Sequence, residues 1–98
     1  MLRERETQKG LLVAACDGDV LGRTFEEGDI SLTVNEEFYG GDTVDSDTLV
    51  DSLRRATVAN LVGVEVVGVA IEHGLIDEAQ VLEIDGTRHA QLLYLNRW

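Results

Sequence analysis

Residues 81–95, VLEIDGTRHAQLLYL, contain the clearest folding signal in the chain. The Asp85–Gly86 pair at their centre separates two runs that are rich in strand-forming residues. An Asp-Gly pair between such runs is the strongest short-range signal for a β-hairpin, because both residues tolerate the positive φ angles of a tight turn. The sequence therefore predicts two antiparallel strands here.

Two helices are predicted before this hairpin. The first is capped by Asp45 or Ser46, and its apolar residues recur at helical spacing at Leu49, Val50, Leu53 and Ala56. The second covers residues 64–73, where β-branched residues also favour a strand. We assign a helix because the His73–Gly74 pair is typical of a helix ending.

Three strands are predicted before the helices. Residues 2–7 alternate with charged side chains, residues 11–16 form a continuous apolar run, and residues 30–34 alternate again. The order β-β-β-α-α-β-β predicts an α+β fold, with a small antiparallel or mixed sheet of about five strands and two helices on one face. At 98 residues the chain is expected to form a single domain, residues 1–98.

The composition is that of an acidic globular protein. Eight Lys and Arg stand against nineteen Asp and Glu, which gives a formal net charge of −11, and 44% of the residues are apolar. This charge repels nucleic acid and anionic membranes at long range, so generic DNA binding and membrane association are disfavoured. The acidic composition is expected of a protein adapted to a salt-rich cytoplasm, and it is equally expected of an acidic protein without that adaptation. Both interpretations stay open.

The sequence favours a cytoplasmic location. No apolar run approaches the roughly 18 residues of a membrane span, and the apolar run at 11–16 is short for a signal peptide. Cys16 is the only cysteine, so no intramolecular disulfide can form. These features are expected of a protein in a reducing compartment.

Motifs for metals and cofactors are incomplete. Residues 17–24, DGDVLGRT, follow a strand as a phosphate-binding loop does, but the glycines are one residue too close and Arg23 stands where lysine is needed. The acidic side chains that suggest calcium surround a helix start, where capping explains them: Asp42, Asp45, Asp47 and Asp51. We expect no metal and no cofactor.

The candidate ligand-binding residues come from three short strings. Phe38-Tyr39-Gly40-Gly41 predicts either a ring at the core edge beside a glycine loop or an exposed ring that stacks on a base or flat ligand. Asn60 either contacts a ligand or hydrogen-bonds a turn between the two helices. The last predicted strand adds two polar residues, His89 and Gln91. The candidate ligand-binding residues are therefore Phe38, Tyr39, Gly41, Asn60, His89 and Gln91.

Five short strings occur in a fixed order along the chain: Cys16-Asp17, Leu21-Gly22, Phe38-Tyr39-x-Gly41, Asn60-Leu61-Val62-Gly63 and His89-Ala90-Gln91. Together they resemble an archaeal family of small proteins known as a domain of unknown function, family 424. The resemblance covers roughly residues 11–93. It implies an archaeal, cytoplasmic, single-domain protein and brings no activity or catalytic residue. Arg88 departs from the family's usual residue before the histidine.

We expect a non-catalytic binding or adaptor module, because no catalytic constellation is complete. RNA or a ribonucleoprotein is the expected partner, with phosphate contacts from Arg54, Arg55 and Arg88 in a local patch and a base stacked on Phe38 or Tyr39.

Two other interpretations stay open. One is a small enzyme or metabolite-binding protein with a site near Asp17 and His89, completed across a dimer interface. The other is a homodimer contact through the apolar residues Leu93, Leu95 and Trp98.

Overall fold

The computed structural model describes residues 1–93. Within this range the strands are β1 (Leu2–Thr7), β2 (Gly10–Cys16), β3 (Thr24–Glu27), β4 (Ile30–Thr33), β5 (Val58–Val62), β6 (Leu82–Ile84) and β7 (Thr87–Leu93). The helices are α1 (Glu36–Tyr39), α2 (Ser46–Arg55) and α3 (Val64–Glu72). Short 3-10 turns lie at Gly18–Val20 and Glu78–Gln80.

Five strands form one mixed sheet in the order β1-β2-β5-β7-β6. Neighbouring strands are antiparallel except β2 and β5, which are parallel, with Val13 opposite Ala59. The predicted α+β fold with a mixed sheet of about five strands is confirmed. The hairpin predicted at Asp85–Gly86 joins β6 to β7, and both of its turn residues have positive φ, 48° and 84°.

The central strand β5 corrects the sequence-based order of elements. The sequence pattern placed Val58–Val62 in a turn between two helices, partly because Asn60 and Gly63 favour turns. In the structure these residues lie between β2 and β7. Val58 and Val62 on one face of β5 are as apolar as Ala59 and Leu61 on the other, so the strand lacks the alternation that reveals a half-exposed strand.

The second correction concerns the strand predicted at residues 30–34. It lies outside the main sheet and forms a separate two-stranded hairpin with β3, in which Phe25 is opposite Leu32. β3 was not predicted because Phe25 is its only buried side chain, which is too little apolar alternation to mark a strand.

The two longer helices pack on one face of the sheet, as predicted, and we call this the helix face. α2 begins after Asp45, whose side chain accepts a hydrogen bond from Thr48 N at 2.8 Å and so caps the helix. The buried residues shared by helices and sheet include Leu49, Leu53, Val67, Ala70, Val13, Ala59, Leu61, Ala90 and Leu92.

The opposite face of the sheet, which we call the hairpin face, is covered at one end. There β3, β4 and α1 bury a second cluster that includes Phe25, Val34, Tyr39, Ala14, Cys16 and Val62. At the other end of the same face, where β5 begins and β7 ends, side chains remain half-buried or exposed. Within residues 1–93 the fold therefore leaves part of one sheet face open.

Candidate functional site

The open part of the hairpin face consists of two rows of side chains that cross four strands. Strand register places one row, in order, at Arg5, Leu12, Val58 and Leu93. The adjacent row contains Arg3, Ala14, Asn60 and Gln91. We call these two rows the open strip.

The open strip is partly accessible. Gln91 is exposed, Leu93 is 56% exposed, and Asn60, Val58 and Leu12 are half-buried. Ala14 is buried beside Tyr39 in the second cluster, so α1 borders the strip on one side. The strip is therefore a partly accessible surface that combines apolar, amide and guanidinium groups.

Charge is segregated between the two faces of β1. Because side chains alternate along a strand, Arg3 and Arg5 lie on the hairpin face, whereas Leu2, Glu4 and Glu6 lie on the helix face. Within the five strands of the main sheet as described, the remaining acid is Glu83, which is paired with Arg88 on the helix face. No strand position on the described hairpin face of this sheet is acidic.

The guanidinium groups of the strip are held in place by α1. Arg3 donates a hydrogen bond to Gly40 O at 2.9 Å, and Arg5 donates one to Glu37 O. The Arg5 guanidinium also lies 5.1 Å from the centre of the Phe38 ring, a cation–π distance. Phe38 in turn meets Tyr39 edge to face, with ring centres 5.0 Å apart. Arg5 is therefore a guanidinium fixed on an aromatic ring.

Two side-chain amides lie next to each other on the strip. Asn60 of β5 and Gln91 of β7 are direct partners across the antiparallel pair, on the same face. Side chains at such positions have Cβ atoms about 5 Å apart. Neither amide has a hydrogen-bond partner within residues 1–93. The structure thus brings together two of the residues that the sequence singled out from separate strings.

Tyr39 and Gly41 have structural roles. Tyr39 is 5% exposed, and burial raises the pKa of its phenol to about 12. Gly41 lies against β1, where a Cβ would come within 2.1 Å of Leu2 O, beside the Leu2–Asp42 bridge. Of the aromatic–glycine string, it is Phe38 that borders the open strip.

His89 lies on the hairpin face one row beyond the strip, opposite Val62. Its ring is half-buried, and Nδ1 is 3.0 Å from Leu61 O. This hydrogen bond fixes the ring against the central strand, and the residue adjoins the strip without belonging to it.

A separate cleft of about 620 Å³ lies where β2 and β5 end. It is lined by the acids Asp17, Asp19, Glu65 and Asp85, with Arg23 as its basic residue. The Asp17 carboxylate accepts hydrogen bonds from Glu65 N at 3.0 Å and Val66 N at 2.9 Å, and so caps α3. Gly63 permits this approach, since a Cβ there would lie 2.3 Å from Asp17 Cγ.

The structure does not join Asp17 and His89 into an acid–base pair. The Asp17 side chain is bound to the first turn of α3 on the helix face, while His89 lies on the hairpin face. Cys16 is fully buried, and burial raises the pKa of its thiol, which disfavours the nucleophilic thiolate.

The three arginines expected to contact phosphate do not form one patch. Arg55 at the end of α2 pairs with Glu4 at 2.7 Å and Asp51 at 3.1 Å, beside the β1 edge of the sheet. Arg88 pairs with Glu78 at 3.4 Å, beside the β6 edge. Arg54 is exposed on α2. Sequence reasoning passed over Arg3 and Arg5, although the alternation Arg-Glu-Arg-Glu at 3–6 already separates the two charges by face.

Three further observations concern the expected dimer contact, metal ligands and membrane-spanning helices. Leu93 is exposed, whereas Leu95 and Trp98 of the expected dimer contact lie outside the described residues. Among residues 1–93, no three His, Cys, Asp or Glu side chains are grouped as metal ligands. No helix in the described part of the chain is long and apolar enough to cross a membrane.

Comparisons with known proteins agree with the fold and leave the activity open. A crystal structure of an uncharacterized conserved protein from Methanopyrus kandleri superposes with a TM-score of 0.80 and 24% sequence identity, covering 99% of this chain and 92% of that one. A search of curated proteins finds no match. The family model described as protein of unknown function (DUF424) matches residues 4–95. The chain therefore belongs to the DUF424 family, as the order of its short motifs implies.

Proposed function

We propose that this protein is a non-catalytic cytoplasmic binding module that binds single-stranded RNA on the open strip. The observation that carries the proposal is the segregation of charge on β1, which gives an acidic protein one sheet face with arginines and no strand acids. A local surface of this kind attracts phosphate at short range, where the net charge is screened by salt.

The chemistry of the strip suits an unpaired strand. Single-stranded RNA is bound by guanidinium contacts to phosphate together with stacking of bases on flat groups, including arginine planes. Arg5, fixed on Phe38, offers a flat cation, and Leu12 and Val58 offer apolar surface for bases or riboses. A rigid duplex would bring more phosphates toward the surrounding acids, so single strands are favoured over duplexes.

The test is fluorescence anisotropy with a short labelled RNA of mixed sequence, from about 50 to 200 mM KCl. Two contacts to single-stranded phosphate predict a slope of about −1.4 for log affinity against log salt concentration. Arg3→Ala with Arg5→Ala should weaken binding and flatten this slope. Arg54→Ala with Arg88→Ala is the matched control, since it removes the same positive charge away from the strip.

Two further measurements keep the test interpretable. Circular dichroism and thermal unfolding check that the double variants fold, and Arg3→Lys with Arg5→Lys should retain the slope because lysine keeps the charge. Equal loss in both alanine variants would attribute binding to net charge and overturn the proposal. Loss only in the control would transfer the phosphate contacts to Arg54 and Arg88. Undetectable binding of the unaltered protein at low salt would exclude RNA.

A further inference from the structure

The paired amides of Asn60 and Gln91 have a recognition chemistry of their own. They are direct partners on β5 and β7, on the same sheet face, and neither has a hydrogen-bond partner within residues 1–93. Both amides retain some exposure to solvent. Backbone hydrogen bonds of the sheet fix the spacing of the two Cα atoms, so the amides form an adjacent pair of donors and acceptors.

The geometry points to a base that offers a donor and an acceptor to each of two amides. Adenine has an exocyclic amine with an acceptor on either side of it, N1 on the Watson–Crick edge and N7 on the Hoogsteen edge. Asparagine and glutamine are the side chains that read an amine and an adjacent nitrogen acceptor of adenine. The amine of guanine lies between the N1–H donor and the N3 acceptor, the amine of cytosine has an acceptor on one side only, and uracil has no amine, so only adenine has an amine with an acceptor on both sides.

We propose that Asn60 and Gln91 together read one adenine of the bound RNA, an inference that rests on the proposed RNA-binding function. The adenine amine would lie between the two amides, donating one hydrogen to each carbonyl oxygen. Each amide nitrogen would donate to one ring nitrogen, N1 or N7. Arg3 lies in the same row and Arg5 in the next, so the phosphates on either side would lie toward β1. The arginines would supply affinity, while the amides would supply base preference.

The experiment compares short oligo(A), oligo(U) and oligo(C) strands in the same anisotropy assay. A bidentate contact discriminates between bases by about 5- to 150-fold in affinity. Oligo(A) should therefore bind more tightly than the other two by a factor in this range. Gln91→Ala, at an exposed position, should reduce the preference for oligo(A), and the double change with Asn60→Ala should remove it.

Chemical substitution of the base tests the same contacts without altering the protein. Replacing adenine by 7-deazaadenine removes N7, and replacing it by 1-deazaadenine removes N1. Each replacement should weaken binding to the unaltered protein and have little effect on the double amide variant. Circular dichroism shows whether Asn60→Ala, in the central strand, preserves the fold.

The outcomes separate this inference from the proposed function. If the three oligonucleotides bind equally well, the adenine reading is overturned while RNA binding stands. If the amide variants weaken all three equally, the amides act as general contacts and the inference fails. If Arg3→Ala with Arg5→Ala lowers all three affinities in proportion and the amide variants lower only that for oligo(A), the division of roles is supported. If no strand binds, the proposed function fails with it.

Discussion

Gly63, at the junction of β5 and α3, is required by two features of its surroundings. Its φ is +131°, a value that residues with a side chain rarely adopt, and a Cβ there would collide with the Asp17 carboxylate that caps α3. We expect Gly63→Ala to lower the free energy of unfolding by about 2–4 kcal/mol, the combined effect of backbone strain and a displaced cap. Urea denaturation followed by circular dichroism measures this.

The control for Gly63→Ala is the same substitution at Gly68. This glycine lies inside α3, and apart from its chain neighbours and its own helix backbone no atom of residues 1–93 lies within 4 Å of the place where its Cβ would be. Alanine should therefore raise the free energy of unfolding by about 0.5–1 kcal/mol. A Gly63→Ala protein as stable as the Gly68→Ala protein would contradict the role assigned to Asp17 and Gly63.

Glu4 links β1 to α2 in a pH-dependent way. The hydrogen bond from Ser52, followed by the contacts with Arg55, lowers the pKa of the Glu4 carboxyl below its ordinary value. Because this pKa is lower in the folded state, the unfolded state binds the proton more readily. The stability that Glu4 contributes is therefore complete above the ordinary pKa of about 4.3, and it is lost as the pH falls through the pKa of the folded state. We expect the stability difference between the unaltered protein and Glu4→Gln to shrink on acidification.

Glu6→Gln provides the comparison for this pH effect. Glu6 lies on the same face of β1, and its carboxylate has no hydrogen-bond or ion-pair partner within residues 1–93. Its substitution removes the same charge from β1 without breaking the contacts of Glu4 with Ser52 and Arg55, so it should cost less stability at neutral pH than Glu4→Gln. A Glu4→Gln protein with a constant stability deficit at every acidic pH would show that the carboxylate does not act through its charge.

At the level of elements, α1 depends on its packing. A four-residue helix has no stability of its own, and Tyr39 anchors it between the main sheet and the rest of the second cluster. Tyr39→Ala should lower the free energy of unfolding by about 3–5 kcal/mol, as truncation of a buried ring does. Denaturant titration measures this loss.

Tyr39→Phe is the control for this truncation, because it keeps the ring while removing the hydroxyl. It should leave stability within about 1 kcal/mol and leave RNA affinity unchanged. If Tyr39→Phe weakened RNA binding several-fold in the anisotropy assay, the Tyr39 hydroxyl would contact the RNA. Anchoring of α1 would then not be the only role of Tyr39.

The elements that the sequence predicts are those whose signals are local. The hairpin at Asp85–Gly86 follows from turn chemistry, and α2 follows from a capping aspartate and an apolar stripe. β5 could not be recognised because its residues are apolar on both faces apart from Asn60, so it carries no clear alternation, and its partners β2 and β7 are distant in sequence. Its parallel pairing with β2 is a long-range property of the fold.

The same limit applies to the candidate site. Asn60 and Gln91 are recognisable as polar side chains in apolar surroundings, but their adjacency depends on the register between β5 and β7. The positions of Arg3 and Arg5 on the open face follow from alternation once β1 is assigned and the helix face is known. Arg54, Arg55 and Arg88 are recognisable as basic residues, whereas the ion pairs of Arg55 and Arg88 and the separation of these two residues depend on the three-dimensional fold.

For the whole molecule, a net charge of −11 implies that self-repulsion opposes the compact state. Raising NaCl from about 10 to 150 mM shortens the Debye length from about 30 to 8 Å, so repulsion between distant acids should weaken. We expect the free energy of unfolding to rise by on the order of 1 kcal/mol over this range. Urea denaturation at each salt concentration measures it, and Glu6→Lys, which reduces the net negative charge, should flatten the dependence.

Salt should then raise the free energy of unfolding but lower the RNA affinity. Screening relieves repulsion within the protein, and it weakens the attraction between the strip and phosphate. A stability that ceases to rise near 150 mM, where most long-range repulsion is already screened, would fit a merely acidic protein. A stability that continues to rise beyond about 1 M, where the Debye length is only about 3 Å, would indicate adaptation to a salt-rich cytoplasm. In that case RNA binding would have to persist at the same high salt, so anisotropy at matched salt would decide whether the strip operates under such conditions.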